Sequence, residues 1–169
     1  MAVKPRLWTR GFILDTLVNF LIYIIYYMLV VIIASEAISS LNATVSEAGL
    51  AAGIFVLGTL AARLAAGRSV EIYGRKKMLY GGILFYLVTT CMYFAVDSLP
   101  LMYGVRFLNG IGYGIASTAT STIVSAMIPE ERRGEGINYY ALSMSLAAAI
   151  GPFLGMIMQQ FFSFRIIIM

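Results

Sequence analysis

From residue 11 to residue 34 the chain runs for about two dozen residues with Asp15 as its single charged side chain, long enough to cross the hydrocarbon of a bilayer as one helix. Similar runs recur at about 46–66, 78–96, 99–127 and 137–162. Sixty per cent of the residues are hydrophobic and only 12% are charged, too little charge to cover a soluble domain of this length. Within lipid the backbone must satisfy its own hydrogen bonds, which leaves helices or a closed barrel. Barrel strands alternate over segments of about ten residues, half the length of these runs, so the expected class is an all-α membrane protein with about five transmembrane helices.

The connectors alternate in charge. Lys4, Arg6 and Arg10 precede the first run, Arg63, Arg68, Arg75, Lys76 and Lys77 cluster around the second connector, and Arg132 and Arg133 lie in the fourth. Ten of the 12 basic residues thus fall on one side, with Arg106 inside a run and Arg165 on the other side. Basic residues are retained in the cytoplasm, so residues 1–10 are expected to form a cytoplasmic amino-terminal segment and residues 11–169 the membrane part. The net charge of +4 resides in these topology clusters and not on a water-soluble face, which argues against nucleic acid as a partner. Histidine is absent and Cys91 is the only cysteine, so neither a metal site nor a cofactor is expected, and no nucleophile–base pair suggests an enzyme.

Small residues recur at helical contact spacing: Gly49, Gly53, Gly58, Ala62 and Ala66 in the second run, Gly110 and Gly114 in the fourth, Gly151 and Gly155 in the fifth. They predict close helix packing, because lipid supplies no hydrophobic drive between helices. The third run, with Phe85, Tyr86, Tyr93 and Phe94 spread around it, reads as peripheral and lipid-facing. In the first run Asp15, Asn19, Tyr23 and Tyr27 stand four apart and share one stripe, which points a polar face into a bundle or cavity. Arg106 is a candidate functional charge because an unpaired charge at membrane depth is costly.

The connector Gly67-Arg68-Ser69-Val70-Glu71-Ile72-Tyr73-Gly74-Arg75-Lys76-Lys77-Met78-Leu79 resembles the signature loop between helices two and three of the major facilitator superfamily. Gly67, Glu71, Gly74, Arg75, Lys76 and Leu79 match that motif, with glutamate where aspartate is usual. Arg106-Phe107-Leu108-Asn109-Gly110-Ile111-Gly112 is similar to the family's fourth-helix motif, and Gly151-Pro152-Phe153-Leu154-Gly155 to the glycine-proline motif of its drug and proton antiporter branch. Pro129-Glu130-Glu131-Arg132-Arg133-Gly134 resembles the short turn common between helices four and five.

The resemblance implies an amino-terminal half of a secondary transporter in a bacterial plasma membrane, working by alternating access and exporting a small molecule against a proton gradient. Arg106, Asn109, Asp15, Asn19 and Tyr23 would then serve proton coupling or line the substrate cavity. Gly67, Glu71, Gly74, Arg75 and Lys76 would form a cytoplasmic gating loop, and Gly151, Pro152 and Gly155 a kink in helix five. Only Ile166, Ile167, Ile168 and Met169 follow Phe164-Arg165, where the family often begins its sixth helix, so a truncated half missing its carboxy-terminal partner is expected. The other reading is an inactive fragment or a membrane subunit that does not transport.

Overall fold

A computed structural model describes residues 5–168, apart from the side chains of Arg68 and Glu71. Lys4, counted among the basic residues of the amino terminus, and the acid of the signature motif, Glu71, as a side chain, therefore lie outside the described residues. The fold is helical throughout: α1 (Arg10–Leu41), α2 (Val45–Tyr73), α3 (Arg75–Cys91), α4 (Leu99–Met127), α5 (Arg133–Phe161) and a short α6 (Phe164–Ile168). Short 3-10 turns cover Met92–Ala95 and Glu130–Arg132.

Helix ends follow local chemistry. Thr9 caps α1 by accepting from the Phe12 amide at 3.2 Å. α1 runs past residue 34 to Leu41 because Ser35 to Ile38 offer no breaker, and it stops where Asn42 turns left-handed at φ 53°. Thr44 and Glu47 form a reciprocal capping box that starts α2. Pro at the start of α4 supplies a preset φ where its missing N–H costs nothing.

The connector between α2 and α3 is tighter than its sequence suggests. Helix α2 continues through Gly67 to Tyr73, and the reversal is made by Gly74 alone, at φ 85°. Of the two motif glycines only Gly74 needs glycine's freedom at positive φ. Gly67 is helical and exposed, with open space where a Cβ would stand.

Four helices among the described residues are long and apolar enough to cross a membrane: α1, Val45–Gly67 of α2, α3 with its 3-10 extension, and α5 with the turn before it. α4 is of the same length as α2 and α5 but richer in glycine, serine and threonine. The packing explains the difference, since α4 is the hub of the bundle and lies against α2, α3 and α1. Its buried positions go round most of its circumference, so it meets protein where the other helices would meet lipid. The second strong pairing is α1 with α5.

Glycines set the closeness of these seams. A Cβ on Gly58 would meet the Phe107 carbonyl oxygen, and one on Gly110 would meet the Phe55 carbonyl oxygen, so α2 and α4 approach reciprocally backbone to backbone. Gly112, on another side of α4, accepts α3, with Tyr86 Cα 2.7 Å from its Cβ position. Gly151 seats the Tyr27 side chain of α1 at 2.7 Å in the same sense. Gly49 and Gly53 do not join this pattern, because nothing stands within 4 Å of their Cβ positions. The third helix is only partly peripheral. Gly82, Tyr86 and Thr89 are buried against α4, whereas Leu84, Leu87 and Val88 are exposed as a lipid-facing side should be.

Candidate functional site

The polar stripe of α1 enters the bundle and divides into two environments. Asp15 and Asn19 are buried, while Tyr23 and Tyr27 are half-buried. Asn19 is the centre of a closed hydrogen-bond node joining three helices. Its Nδ2 donates to Ser143 Oγ at 3.2 Å, and its Oδ1 accepts from Tyr140 at 2.8 Å and Thr120 at 3.2 Å. The Tyr140 hydroxyl also lies 3.0 Å from Thr120 Oγ1. One turn toward the amino terminus, Asp15 Oδ2 and Thr16 Oγ1 are buried without a hydrogen-bond partner among the described residues.

The node makes a stability prediction. Replacing Asn19 with alanine removes the shared partner of Tyr140, Thr120 and Ser143, although Tyr140 can still donate to Thr120 and Thr120 to the Ser117 carbonyl, and should cost about 1.5 kcal/mol, near the upper range for polar contacts between membrane helices. Tyr140→Phe, which removes one donor, should cost about 1 kcal/mol. Thermal unfolding of the detergent-solubilised chain measures both. An Asn19→Ala chain of unchanged stability would show that the node does not hold the helices.

One turn in the other direction the stripe opens on a concavity. Tyr23, Arg63, Ser117, Thr118, Ser121 and Met144 line a depression of about 400 Å³ to which α1, α2, α4 and α5 all contribute. Arg63 is exposed there, and among the described residues no carboxylate lines the depression. The Thr118 hydroxyl donates to the Gly114 carbonyl at 2.7 Å and that of Ser121 to the Thr118 carbonyl at 2.9 Å. These are back-bonds to their own helix, which each hydroxyl can exchange for a bond to another acceptor.

Arg106 lies elsewhere. It is fully buried, its Nε donates to the Ala51 carbonyl at 3.2 Å, and its guanidinium carbon stands 4.6 Å over the Phe55 ring. Among the described residues Nη1 and Nη2 make no hydrogen bond of good geometry, and neither do the buried Tyr86 and Tyr93 hydroxyls and Asn109 Oδ1, although Tyr93 stands close to Arg106. A series of ring contacts runs from Phe55 to Tyr23: Tyr113 meets Phe55 at 5.3 Å and Tyr23 at 5.4 Å, and Tyr26 stacks on Phe55 at 4.8 Å. Asn109 faces α3, where its Nδ2 lies 3.1 Å from Thr89 Oγ1 and 3.0 Å from Thr90 Oγ1. The fourth-helix motif therefore binds α4 to both flanking helices, with Arg106 and Gly110 toward α2 and Asn109 and Gly112 toward α3.

At the other functional segments, Gly74, Arg75 and Lys76 are exposed around a larger open depression of about 740 Å³ that Gly67, Tyr73 and Thr122 also line. Arg75, Lys76 and Lys77 occupy the first turn of α3, where the helix dipole disfavours cations, so helix stability does not account for them. In α5, Pro152 sits inside an unbroken helix between Gly151 and Gly155, both buried against α1. Arg132 makes a two-pronged ion pair with Glu135 at 2.6 and 2.9 Å and donates to the Pro5 carbonyl at 3.1 Å, tying the amino-terminal segment to the α4–α5 turn.

The sequence had marked Tyr23 but not the other lining residues of the smaller depression. The signal for Arg63 is its place three residues inside the end of the apolar run 46–66. For α4 it was the recurrence of Ser117 and Ser121 on one face.

Comparisons with known proteins agree with the architecture. An uncharacterized MFS-type transporter of Methanocaldococcus jannaschii is 31% identical over 126 residues, covering 75% of this chain and 33% of the relative. A hexose transporter of Saccharomyces cerevisiae is 33% identical over 104 residues, 61% of this chain and 19% of its own length. Multidrug resistance protein MdtL of Escherichia coli is 25% identical over 124 residues, 73% of this chain and 32% of its own. The chain thus spans at most about a third of the length of these relatives. Residues 16–169 match the family profile of the Major Facilitator Superfamily, and with its glycine-sealed helical bundle this integral membrane chain belongs to that superfamily.

Proposed function

We propose that the chain forms the amino-terminal half of a secondary transporter that moves a small molecule out of the cell by alternating access, coupled to protons. The observation that carries this reading is the polar concavity of Tyr23, Arg63, Ser117, Thr118, Ser121 and Met144, drawn from four helices. Lipid would not be expected to cover a face that holds an arginine and three hydroxyls, so water or a second helical half stands opposite it. Multidrug and hexose transporters both occur among the relatives, and the glycine-proline segment of α5 favours export.

In this proposal Asp15, buried one turn into α1 with an unpartnered oxygen, is the group that exchanges the proton. The hinge at Gly74 and the cations Arg75 and Lys76 form the cytoplasmic latch, with Glu71 as its acid. Pro152 leaves the Ala148 carbonyl without its usual donor and gives α5 a place to bend as the halves rock. In this reading the membrane is a bacterial plasma membrane, and the clustering of basic residues on one side favours an amino terminus in the cytoplasm.

The test joins the chain to a six-helix carboxy-terminal half, fused or supplied separately, in everted vesicles energised to an acidic lumen. Addition of ethidium, or of a panel of small organic acids, should release protons from the lumen only when the chain is present. Proton release should fall at least about tenfold in Asp15→Asn, the loss expected when a positioned proton carrier is removed. An unchanged rate in that variant removes Asp15 from the coupling. No chain-dependent proton movement with any compound favours the second reading, a membrane subunit that does not transport by itself.

A further inference from the structure

We propose that the α1–α2–α4–α5 depression is an oxyanion site with Arg63 as its specificity-determining residue, so that the molecule it takes is a small amphipathic organic anion. This deepens the transport reading above and rests on it for the site's being open to water.

The geometry supplies both halves of such a ligand's surroundings. Arg63 offers a planar fork of donors, suited to a carboxylate, sulfonate or phosphate oxygen pair, and among the described residues no carboxylate lines the depression. Ser117, Thr118 and Ser121 stand beside it on α4, and their hydroxyls can exchange a back-bond to their own helix for a bond to an anion. Tyr23 and Met144 close the other walls with an aromatic face and a thioether, which fit an apolar body.

Position matters as much as composition. Arg63 lies four residues, about 6 Å, inside the end of the apolar stretch Val45–Gly67. A topology signal does not require a cation at that depth, since Arg75, Lys76 and Lys77 already mark that side. An anionic ligand pairs with it when it binds, and a neutral or cationic one does not.

The experiment reads the potential of the site directly on the full chain. Cys91→Ala removes the only native thiol, and Thr118→Cys, or Ser121→Cys should the first misfold, places one in the depression. Labelling rates are measured with anionic sulfonatoethyl and cationic trimethylammonioethyl methanethiosulfonate, each scaled to its rate with a free thiol. The anionic reagent should be favoured, and Arg63→Gln should lower its advantage about tenfold, the effect of one close charge. Benzoate should slow labelling and benzamide should not, with the difference lost in Arg63→Gln. Labelling with no charge preference, or benzoate protection that survives Arg63→Gln, overturns the anion inference while leaving an open cavity in place. No labelling by either reagent overturns both the anion site and the transport cavity. Thermal unfolding of Arg63→Gln confirms that the comparison is between folded chains.

Discussion

Gly110→Leu should abolish accumulation of the chain as a folded, monodisperse membrane protein. A Cβ at that position falls on the carbonyl oxygen of Phe55, 3.0 Å from its carbonyl carbon and 3.1 Å from the Thr59 amide nitrogen. All three atoms belong to the backbone of α2, so no rotamer change relieves the clash. The helices must separate, and separation loses contact along the whole seam because Gly58 makes the reciprocal approach to Phe107 and Gly114 lies against Ala62. Even Gly110→Ala should cost about 3 kcal/mol, the upper range for forcing one extra carbon into a close-packed site. Gly53→Ala gives the contrast. Its Cβ meets open space, so the variant should be unchanged or more stable by about 0.5–1 kcal/mol, the helix-propensity gain over glycine. Thermal unfolding monitored by size exclusion in detergent separates the two. Equal behaviour of Gly110→Ala and Gly53→Ala would mean that the α2–α4 seam is looser than the backbone contacts require.

That contrast also marks how far the sequence could be read. Apolar run length identified the helical membrane class because the bilayer sets that length physically, whatever the tertiary contacts. Glycine spacing showed that helices approach closely but not which ones. Gly49–Gly53 and Gly110–Gly114 have the same spacing, yet only the second pair has a partner opposite. Contact needs two complementary surfaces, and spacing on one helix describes only one of them. The signature connector likewise looked like a loop on the strength of its glycines, whereas local propensity keeps Gly67 to Tyr73 helical and leaves the turn to Gly74. For the site, α1 was the informative helix, since a polar stripe four apart must face inward. Arg63 was legible only as one more topology cation, because its companions Ser117, Thr118 and Ser121 come from a helix more than fifty residues away. The sequence reads Arg106 and Asn109 as serving proton coupling or lining the cavity. The ring contacts of Tyr113, Tyr26 and Phe55, which run from Arg106 toward Tyr23, arise from three helices and could not be read from any one.

Arg106→Met should leave the fold within about 1 kcal/mol of the parent, or make it more stable, while lowering transport by the assembled transporter more than about tenfold. The stability half follows from the poor compensation of the charge. The guanidinium is fully buried, yet it has one carbonyl bond, one aromatic face, and no carboxylate partner among the described residues. Burying an ion so incompletely paired costs several kcal/mol, and methionine would keep most of the packing of the stem against Phe55 and Ala51 without that cost. A residue retained only for packing would give the opposite result, a destabilised chain with its transport rate intact for the molecules that fold. The transport half follows from what surrounds the two free guanidinium nitrogens. Nη1 and Nη2 sit in the same buried region as the unpartnered Tyr86 and Tyr93 hydroxyls and Asn109 Oδ1, a polar set incomplete in this arrangement of the helices. Buried water would complete it in place, whereas completion by a second arrangement of the bundle would let the charge favour one state over the other, which is the case the transport expectation takes. Arg106→Lys refines the test, since it keeps the charge but loses the planar fork and the flat stacking on Phe55. Partial recovery of transport by lysine would assign the effect to charge, and none would assign it to the geometry of the guanidinium. Loss of more than about 2 kcal/mol in Arg106→Met, with transport unchanged per folded molecule, would make Arg106 a structural residue after all.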